Sequence, residues 1–333
     1  MNEEDVNACQ IQEWYPKFKS VSIRTSIHEL PESFIHYLLD DSGSLLLPLS
    51  IAERDAFPKR ICKLEEEGDF VVQEGSGDES EKPPPPPSFP DLELATNSSI
   101  ETLGGVVFPK LNWSSPKDAA WISSTGNLGC TSFSEIVLLL KSSDSVIHDL
   151  CYAYDSCKDR TSSRPSKFFL ALRKWYPTLK PEMEFRCFVK DNHLVGVCQR
   201  EVTNFYPALV ELQHDLKTLI LEFFMGKVEG KFGSKNYTFD VYVTKDKRVK
   251  VLDFNPWSGS TLPLLFSWEE LESNARDDGE FRIIESRHGI RPGLKSSVPF
   301  DYLDTSLGSG WDQFLRKVDE ESKRQTSAEG IGS

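Results

Sequence analysis

Three side chains with oxygen donor atoms, Asp240, Asp253 and Asn255, are predicted to converge on one face of a β-hairpin. Like charges on directly opposed residues of two strands destabilise the pairing, so two facing carboxylates require a compensating cation. Mg²⁺ prefers oxygen ligands, usually takes one or two carboxylates, and completes its shell with water and substrate phosphates. The three residues are therefore predicted magnesium ligands. From the residues alone two alternatives stay open: one carboxylate could point to solvent at a bulge, or one could stay protonated.

The hairpin is predicted from the hydrophobic pattern on both sides of a polar turn. The segments YTFDVYV and VKVLDF are rich in β-branched and aromatic side chains and flank the polar TKDKR, a pattern typical of two antiparallel strands. If the turn is centred between Asp246 and Lys247, Asp240 lies directly across from Asp253. Asn255 then shares the strand face of Asp253, because side chains repeat on one face every second residue.

Cationic side chains recur at the ends of other predicted strands. Lys110 directly follows the apolar run VVFP. Arg173 and Lys174 end a predicted strand over residues 167–175, and Arg200 closes a second hairpin. Taken singly, such a charge is most often solvated. Their joint placement near a predicted magnesium site favours a cleft for a triphosphate and its metal, in which cations neutralise phosphate oxygens.

The second hairpin is predicted from the segments EFRCFVK and HLVGVCQR. Its expected register places Glu184 opposite Gln199, with Glu184 and Arg186 together on a polar face. Because side chains alternate along a strand, the other face carries the predicted core residues Phe185, Cys187 and Val189.

Composition argues against several classes of protein. The 333 residues include 38 Lys and Arg against 52 Asp and Glu, a net charge of −14. This balance disfavours non-specific binding to nucleic acid or to anionic membranes and favours a basic protein partner. The chain start lacks the apolar core of a secretory signal, no apolar run approaches a membrane span, and the seven cysteines form no C-x-x-C pair. We therefore expect a reduced, soluble, cytoplasmic protein that is a monomer on its own.

The chain is expected to divide at an acidic stretch that ends in five consecutive prolines, because such a segment cannot bury apolar surface. Strand pairs around one long helix predict an α+β architecture with mainly antiparallel sheets. The long helix carries an apolar stripe from Leu209 to Phe224, and an earlier helix ends at Gly104. The expected organisation is an N-terminal part of the first lobe (1–64), a flexible linker or loop (65–90), the core (91–273), an irregular segment packing on the core or on a partner (274–318) and a disordered tail (319–333).

Five segments, taken together and in order, resemble the cell division cycle protein 123 family. They are FPKLNWSSPKDAAWI, LRKW, EFRCFVK, VCQRE and VLDFNPW. The resemblance covers roughly Trp14 to Leu271 and is weaker over residues 295–318. It implies an ATP-grasp fold, in which two α+β lobes hold a nucleotide in the cleft between them. It also implies a cytosolic assembly factor that binds the gamma subunit of eukaryotic translation initiation factor two and promotes its joining to the alpha and beta subunits.

The same resemblance assigns roles to individual residues, with ATP and Mg²⁺ as cofactors. Lys110 and Asn112 would contact phosphate from the KLNWSSP loop, and Arg200 would also reach phosphate. Backbone groups of the hinge Arg173, Lys174 and Trp175 would lie beside adenine. Glu184 and Arg186 would line the phosphate and ribose side. Asp240, Asp253 and Asn255 would hold magnesium, in agreement with the strand register.

Other functions remain compatible with the same nucleotide residues. One is an ATP-grasp ligase that joins a carboxylate to an amine through an acyl phosphate, and another is a scaffold with a vestigial site. The chain has no glycine-rich lid, P-loop, G-x-G-x-x-G, G-x-S-x-G or H-E-x-x-H motif, so no catalytic residue is predicted. The absence of an unassigned basic cluster for an acceptor disfavours the ligase.

Overall fold

The computed structural model describes residues 1–40, 87–273 and 279–291. Within these ranges the chain forms two α+β lobes, as predicted from the sequence. Most of the expected acidic and proline-rich linker, most of the segment 274–318 and the whole tail 319–333 lie outside the described residues.

The first lobe is built on a three-stranded antiparallel sheet with strand order β1-β3-β2. Its strands are β1 (Thr25–Leu30), β2 (Val107–Lys110) and β3 (Phe168–Lys174). Helices α3 (Glu32–Leu39), α4 (Pro90–Leu103), α5 (Phe133–Lys141) and α6 (Asp144–Cys151) pack against it. Together they enclose a core in which Phe34, Phe133 and Leu170 are fully buried.

The second lobe is built on a five-stranded sheet with strand order β7-β6-β4-β5-β8. Its strands are β4 (Glu184–Lys190), β5 (His193–Gln199), β6 (Tyr237–Val243), β7 (Val249–Pro256) and β8 (Glu280–Arg282). All neighbours are antiparallel except β8, which pairs in parallel with β5. The sequence predicted only irregular chain in this region, because three residues are too few to show an alternating pattern. Phe281 nevertheless packs into the lobe core and aligns the strand.

Helices α1 (Glu3–Ala8), α2 (Ile11–Phe18), α7 (Pro207–Phe223) and α8 (Trp268–Ser273) complete the second lobe. Residues 1–18 were expected in the first lobe, but Trp14 and Phe18 are buried in the core of the second. Helix α7 is the predicted long helix, and it buries Leu209, Leu216 and Ile220. Leu212 was expected on the same stripe but is 40% exposed. The helix therefore buries a narrower face than its apolar residues suggested. Within the described residues, no helix combines the length and the apolar character needed to cross a membrane.

The predicted helix end at Gly104 is confirmed in the first lobe. Helix α4 is followed by Gly104, whose φ of 104° is in the left-handed region that favours glycine. Helix α5 is preceded by the N-cap Ser132, whose hydroxyl accepts a hydrogen bond from the backbone N–H of Glu135.

The N-terminal residues 1–18 contact both lobes. Trp14 and Phe18 pack on Phe254 of β7, with ring centroids 5.3 and 4.9 Å from it. The backbone N–H of Ile11 donates to the carbonyl of Asn112, 2.9 Å away, just beyond β2 of the first lobe. This segment therefore joins the end of β2 to β7.

Phe254 is expected to be a major contributor to stability. Its ring stacks on Phe232 at 4.4 Å and contacts Trp14 and Phe18, so Phe254→Ala leaves a cavity that those rigid rings cannot fill. Phenylalanine truncation in a core lowers the free energy of unfolding by about 3–5 kcal/mol. Chemical denaturation followed by circular dichroism measures the change. Leu94→Ala, at a side chain 73% exposed on α4, is the control and should cost little. A similar loss in both variants would contradict this packing.

Candidate functional site

The predicted pairing of Asp240 with Asp253 is present, and it depends on a β-bulge. In the β6–β7 ladder Asp240 pairs with Asp253, but the next pair is Val241 with Val251. Leu252 is therefore an extra residue. Near the turn Val243 pairs with Val249, so the turn is centred on Asp246 and not between Asp246 and Lys247. The bulge offsets this difference of one position and restores the expected register at the two carboxylates.

Asp240 is held by two arginines. Arg186 donates from Nε and from its terminal nitrogen to the two carboxylate oxygens at 2.8 and 2.9 Å. Arg200 donates from Nε to Asp240 Oδ2 at 2.9 Å. Burial by itself would raise the pKa of Asp240, but the two guanidinium groups outweigh burial and hold the pKa well below its usual range. Asp240 is therefore ionised at neutral pH.

Arg186 reaches Asp240 because β4 lies beside β6, where the two residues are directly paired. The predicted register of the β4–β5 hairpin was wrong at the end away from the turn, where Gln199 pairs. Phe185, and not Glu184, pairs with Gln199, because a register shift between Phe188 and Val189 moves the pairing by one residue. Glu184 still lies near the site, with an oxygen 3.6 Å from Arg200. The predicted core face of β4 is confirmed, since Phe185, Cys187 and Val189 are all buried.

Lys110 and Asp253 form an ion pair between the two lobes. Lys110 ends β2 of the first lobe, and its Nζ lies 2.8 Å from Oδ2 of Asp253 in β7 of the second. The lysine side chain is 1% exposed, and Nζ also donates to the carbonyl of Trp113. Asp253 is 22% exposed, and its second oxygen accepts from the N–H of Phe254. Each carboxylate of the facing pair thus has its own protein cations.

Sequence reasoning missed Lys117, the first residue of a 3₁₀ helix over Lys117–Ile122. Its ammonium lies close enough to Arg200, Glu184 and both aspartates for their charges to act on it. Repulsion from Arg200 and burial lower the pKa of Lys117 to about 8, despite opposing attraction from the carboxylates. The only sequence signal was its position after the SSP turn that follows Lys110. That signal does not show that the turn folds back towards β5.

Arg173 lies in the same region and lacks partners for part of its guanidinium group. It is 3% exposed, and two of its nitrogens, Nε and one terminal nitrogen, are buried without a hydrogen bond. Burial lowers its pKa, while Asp253 and Glu184 act in the opposite direction. The guanidinium group also lies over the ring of Phe108, 5.2 Å from its centroid. A buried cation with free donors is costly unless a ligand supplies acceptors.

The other sequence-predicted nucleotide residues contact groups outside the charged cluster. Lys174 contacts the ring of Tyr176, with Nζ 5.6 Å from the centroid, and Trp175 packs edge-on against Phe108. The Asn112 side chain is fully buried. It donates to Gln10 Oε1 and to the carbonyl of Lys167, and its oxygen accepts from the N–H of Phe169. These bonds occupy its amide, so the structure places Asn112 beneath the Lys110 loop and not in the charged cluster.

The cluster contains more positive than negative side chains. Five cationic groups meet three carboxylates across the junction of the lobes; the cations are Lys110, Lys117, Arg173, Arg186 and Arg200, and the carboxylates are Glu184, Asp240 and Asp253. The cationic excess of two suits a polyanion, because positive groups held in place stabilise phosphate charge.

The residues around Asp253 also fit a hard divalent cation. Asp253 and Asn255 are both partly exposed on β7, and each carries a side-chain oxygen, the ligand type that Mg²⁺ prefers. Asp240 is already bonded to both arginines and is not free to bind a metal in this state. Over the described ranges, no three His, Cys, Asp or Glu side chains are grouped to hold a metal. Magnesium would therefore need phosphate oxygens or water to complete its shell.

Comparison with known proteins gives consistent matches over most of the chain. A sequence model of the D123 family matches residues 14–306. The chain is 37% identical over 320 residues to a translation initiation factor eIF2 assembly protein of Xenopus tropicalis, covering 92% of this chain and 93% of that protein. It is 38% identical over 316 residues to a cell division cycle protein 123 of Phaeosphaeria nodorum, covering 91% and 80%. A solved structure of Cdc123 from Schizosaccharomyces pombe matches 86% of this chain and 99% of its own, with 35% identity and a TM-score of 0.68.

Asp240→Asn is expected to destabilise the protein strongly, because it leaves Arg186 and Arg200 without their buried counter-charge. Removing one partner of a buried ion pair costs about 3–5 kcal/mol. The native pKa of Asp240 is depressed, so its contribution is complete above the unfolded-state pKa of about 3.9 and is lost as the pH falls towards the native value. The difference in free energy of unfolding between wild type and variant should therefore shrink below about pH 4.

Urea titrations from pH 3 to pH 7 measure this difference. Asp215→Asn, which removes an exposed ion pair with Lys247, is the control and should change stability by less than about 1 kcal/mol at every pH. A difference for Asp240→Asn that stays constant down to pH 3 would contradict the assignment.

Proposed function

The chain belongs to the cell division cycle protein 123 (D123) family, and on that premise we propose that it is an ATP- and magnesium-binding assembly factor for eIF2. The proposal that the protein binds a nucleotide rests on the excess of cationic side chains at the junction of the lobes. The proposed role in assembly rests on the similarity to proteins named as eIF2 assembly proteins. In this proposal the two lobes act as an ATP-grasp fold, with the nucleotide held between the first sheet and the second.

The phosphate-binding residues we assign come from both lobes. Lys110 and Lys117 reach phosphate from the first lobe, and Arg200 reaches it from the second. Arg173 completes the set, because its unpartnered nitrogens are buried donors that phosphate or ribose oxygens would satisfy. Charge-assisted hydrogen bonds of this kind are the strong ones in proteins.

The roles of the remaining nucleotide-binding residues are assigned from where they lie in the two lobes. Lys174 and Trp175 form the hinge beside adenine, at the end of β3 next to Phe108. Glu184 and Arg186 lie on the ribose and phosphate side. Asn112 supports the Lys110 loop from below through its bonds to Gln10 and Phe169.

Asp253, Asn255 and Asp240 are the residues that would hold magnesium. The ion would neutralise phosphate charge beside the facing carboxylates and fix the triphosphate relative to the second lobe. If phosphate oxygens drew Arg200 away, Asp240 Oδ2 would keep one donor, Arg186, and would have a lone pair available to a metal.

ATP in this protein serves to set the lobes relative to each other for a protein partner. Lys110 and Asp253 belong to different lobes, and both lie where phosphate and metal bind, so nucleotide binding acts on the contact that joins them. We assign the gamma subunit of eIF2 as the partner, with the protein a cytoplasmic monomer before it binds. The net charge of −14 would speed encounter with a basic surface, an effect that weakens with salt.

Magnesium-dependent ATP binding tests the site. Isothermal titration should show that wild type binds ATP more tightly with Mg²⁺ than without it. Asp253→Asn should abolish that difference, because one charged metal ligand is lost. Asp246→Asn in the exposed turn of the same hairpin removes a similar charge and should keep the difference. Equal magnesium dependence in wild type and Asp253→Asn would exclude the metal site. ADP release that an amine acceptor stimulates would favour a ligase instead.

The lowered pKa of Lys117 predicts that the protein takes up protons when ATP binds. With a pKa of about 8 in the free protein, this amine is partly deprotonated near pH 8. Bound phosphate raises its pKa, so protons are taken up at pH 8, whereas at pH 6.5 the amine is charged in both states and contributes nothing. Titrations in buffers of different ionisation enthalpy measure the uptake. Lys117→Met should remove it, and Lys167→Met, which breaks an exposed pair with Glu29, should not. Undiminished uptake in Lys117→Met would place the amine outside the phosphate site.

The assembly function is tested by co-purification with eIF2 subunits. Tagged wild type should retain the gamma subunit in the presence of MgATP and increase its joining to the alpha and beta subunits. Lys110→Met should reduce both, because it removes the interlobe ion pair. Retention of gamma that is independent of ATP and unaffected by Lys110→Met would support a vestigial site.

A further inference from the structure

Asp149 is a buried carboxylate that the charged cluster does not contain. It lies on α6, is 4% exposed, and faces the loop that follows Lys110. Its oxygen Oδ2 accepts from the backbone N–H of Ser114 at 2.8 Å and from that of Trp113 at 3.4 Å. Its oxygen Oδ1 accepts from the Ser114 hydroxyl at 2.8 Å. One carboxylate thus binds three donors of the same turn.

The turn held by Asp149 supplies the second partner of Lys110. Lys110 Nζ donates to the carbonyl of Trp113, which belongs to the same peptide unit as the Ser114 N–H that Asp149 accepts. Because a peptide unit is planar, holding the Ser114 N–H also fixes the direction of the Trp113 carbonyl. The position of the Lys110 ammonium between Trp113 and Asp253 therefore depends on Asp149.

A second carboxylate ties the other end of the loop to the same helix. Asp118, next to Lys117, accepts from the hydroxyl of Ser143 at 2.7 Å and from the N–H of Ser145 at 3.1 Å, at the start of α6. The loop is thus anchored to α6 at Trp113 and Ser114 and again at Asp118. Lys110 lies three residues before the first anchor, and Lys117 lies directly before the second.

The burial of Asp149 shows how much the loop depends on these bonds. Burial raises the pKa of the Asp149 carboxyl, while the hydrogen bonds from Ser114 and the charge of Lys110 oppose the rise. A buried carboxylate is tolerated where hydrogen bonds compensate its lost hydration, and here one turn of backbone supplies most of them. Neither partner would keep its position if the other were removed.

We infer that Asp149 is a positioning residue that holds the loop 111–116 on α6 and so places Lys110 for the triphosphate and the interlobe ion pair. This inference rests on the proposed ATP site, but the loop geometry that carries it does not involve a ligand. Asp149 itself contacts no part of the charged cluster through a hydrogen bond, so it acts through Lys110.

The test uses Asp149→Ala in the full chain, with Asp149→Asn as the conservative variant. Alanine removes all three acceptor contacts. Asparagine can still accept from the Ser114 N–H with its oxygen and donate to the Ser114 hydroxyl. The matched control is Glu135→Ala, because Glu135 in the same lobe also accepts from a backbone N–H and a hydroxyl, those of Thr131, away from the Lys110 loop.

Two readouts separate positioning from a general loss of stability. Without ligand, hydrogen–deuterium exchange across residues 111–116 should quicken in Asp149→Ala and return close to wild type in Asp149→Asn. With ligand, MgATP affinity should fall about tenfold in Asp149→Ala, as expected for a residue that orients a binding group, and recover in Asp149→Asn. Glu135→Ala should leave both readouts at wild-type values. If Asp149→Ala does not fold, Ser114→Ala, which removes the hydroxyl donor alone, takes its place with smaller changes in the same direction.

Unchanged exchange in the loop, or a lower melting temperature with wild-type MgATP affinity, would overturn the inference. If wild type itself does not bind MgATP, the proposed function fails. The hydrogen–deuterium exchange of residues 111–116 in Asp149→Ala then decides whether Asp149 positions the loop.

Discussion

The ion pair between Lys110 and Asp253 is the contact on which the arrangement of the two lobes depends. An ammonium that is 1% exposed must have its charge compensated within the protein, and Asp253 and the Trp113 carbonyl are its partners. Because the two charges belong to different sheets, they meet only when β2 and β7 are brought together. The N-terminal segment reinforces this position, since it packs on Phe254 and bonds to the carbonyl of Asn112.

The repulsion between the two facing carboxylates explains why cationic side chains gather at the proposed binding site. Asp240 and Asp253 repel each other across the hairpin, and the protein resolves the conflict with separate cations for each. The cationic groups of the cluster outnumber its carboxylates, five to three. Lys117 is held near Arg200 with a lowered pKa, and Arg173 is buried with unused donors, so the positive charge of the cluster is itself poorly compensated. A polyanion would relieve that excess, and in the proposed function this links nucleotide binding to the position of the lobes.

The cluster is supported by polar groups outside it. Asn112 bonds three neighbours beneath the loop, and Asp149 binds three donors of the loop itself. Buried polar networks of this type are costly when partly broken, so they restrict the loop to one conformation. Such rigidity would favour binding of the proposed nucleotide, because free energy of binding is not lost in ordering the loop.

Much of the site could be predicted from the sequence because it follows from local periodicity. The two-residue repeat of a strand places Asp253 with Asn255 and separates Arg186 from the core residues Phe185 and Cys187. Glycine at 104 and serine at 132 define helix ends by backbone geometry and local hydrogen bonds alone. The predictions of strand register were less accurate. The β6–β7 register was right at the carboxylates only because a bulge at Leu252 compensated a misplaced turn, and the β4–β5 register was wrong because a shift near Val189 had no sequence signal.

The sequence by itself determined the α+β class, the acidic hairpin and the motifs of the family. The tertiary structure alone decided which cations meet the two facing carboxylates. Lys117 and Asp149 lie in or beside a loop whose path is set by contacts with α6, and those contacts join residues 27 and 35 positions apart. Asn112 was expected at phosphate, yet its side chain is turned inward by Gln10, about 100 residues earlier in the chain. Strand periodicity acts between near neighbours, whereas loop position and charge compensation depend on partners that only the folded chain brings together.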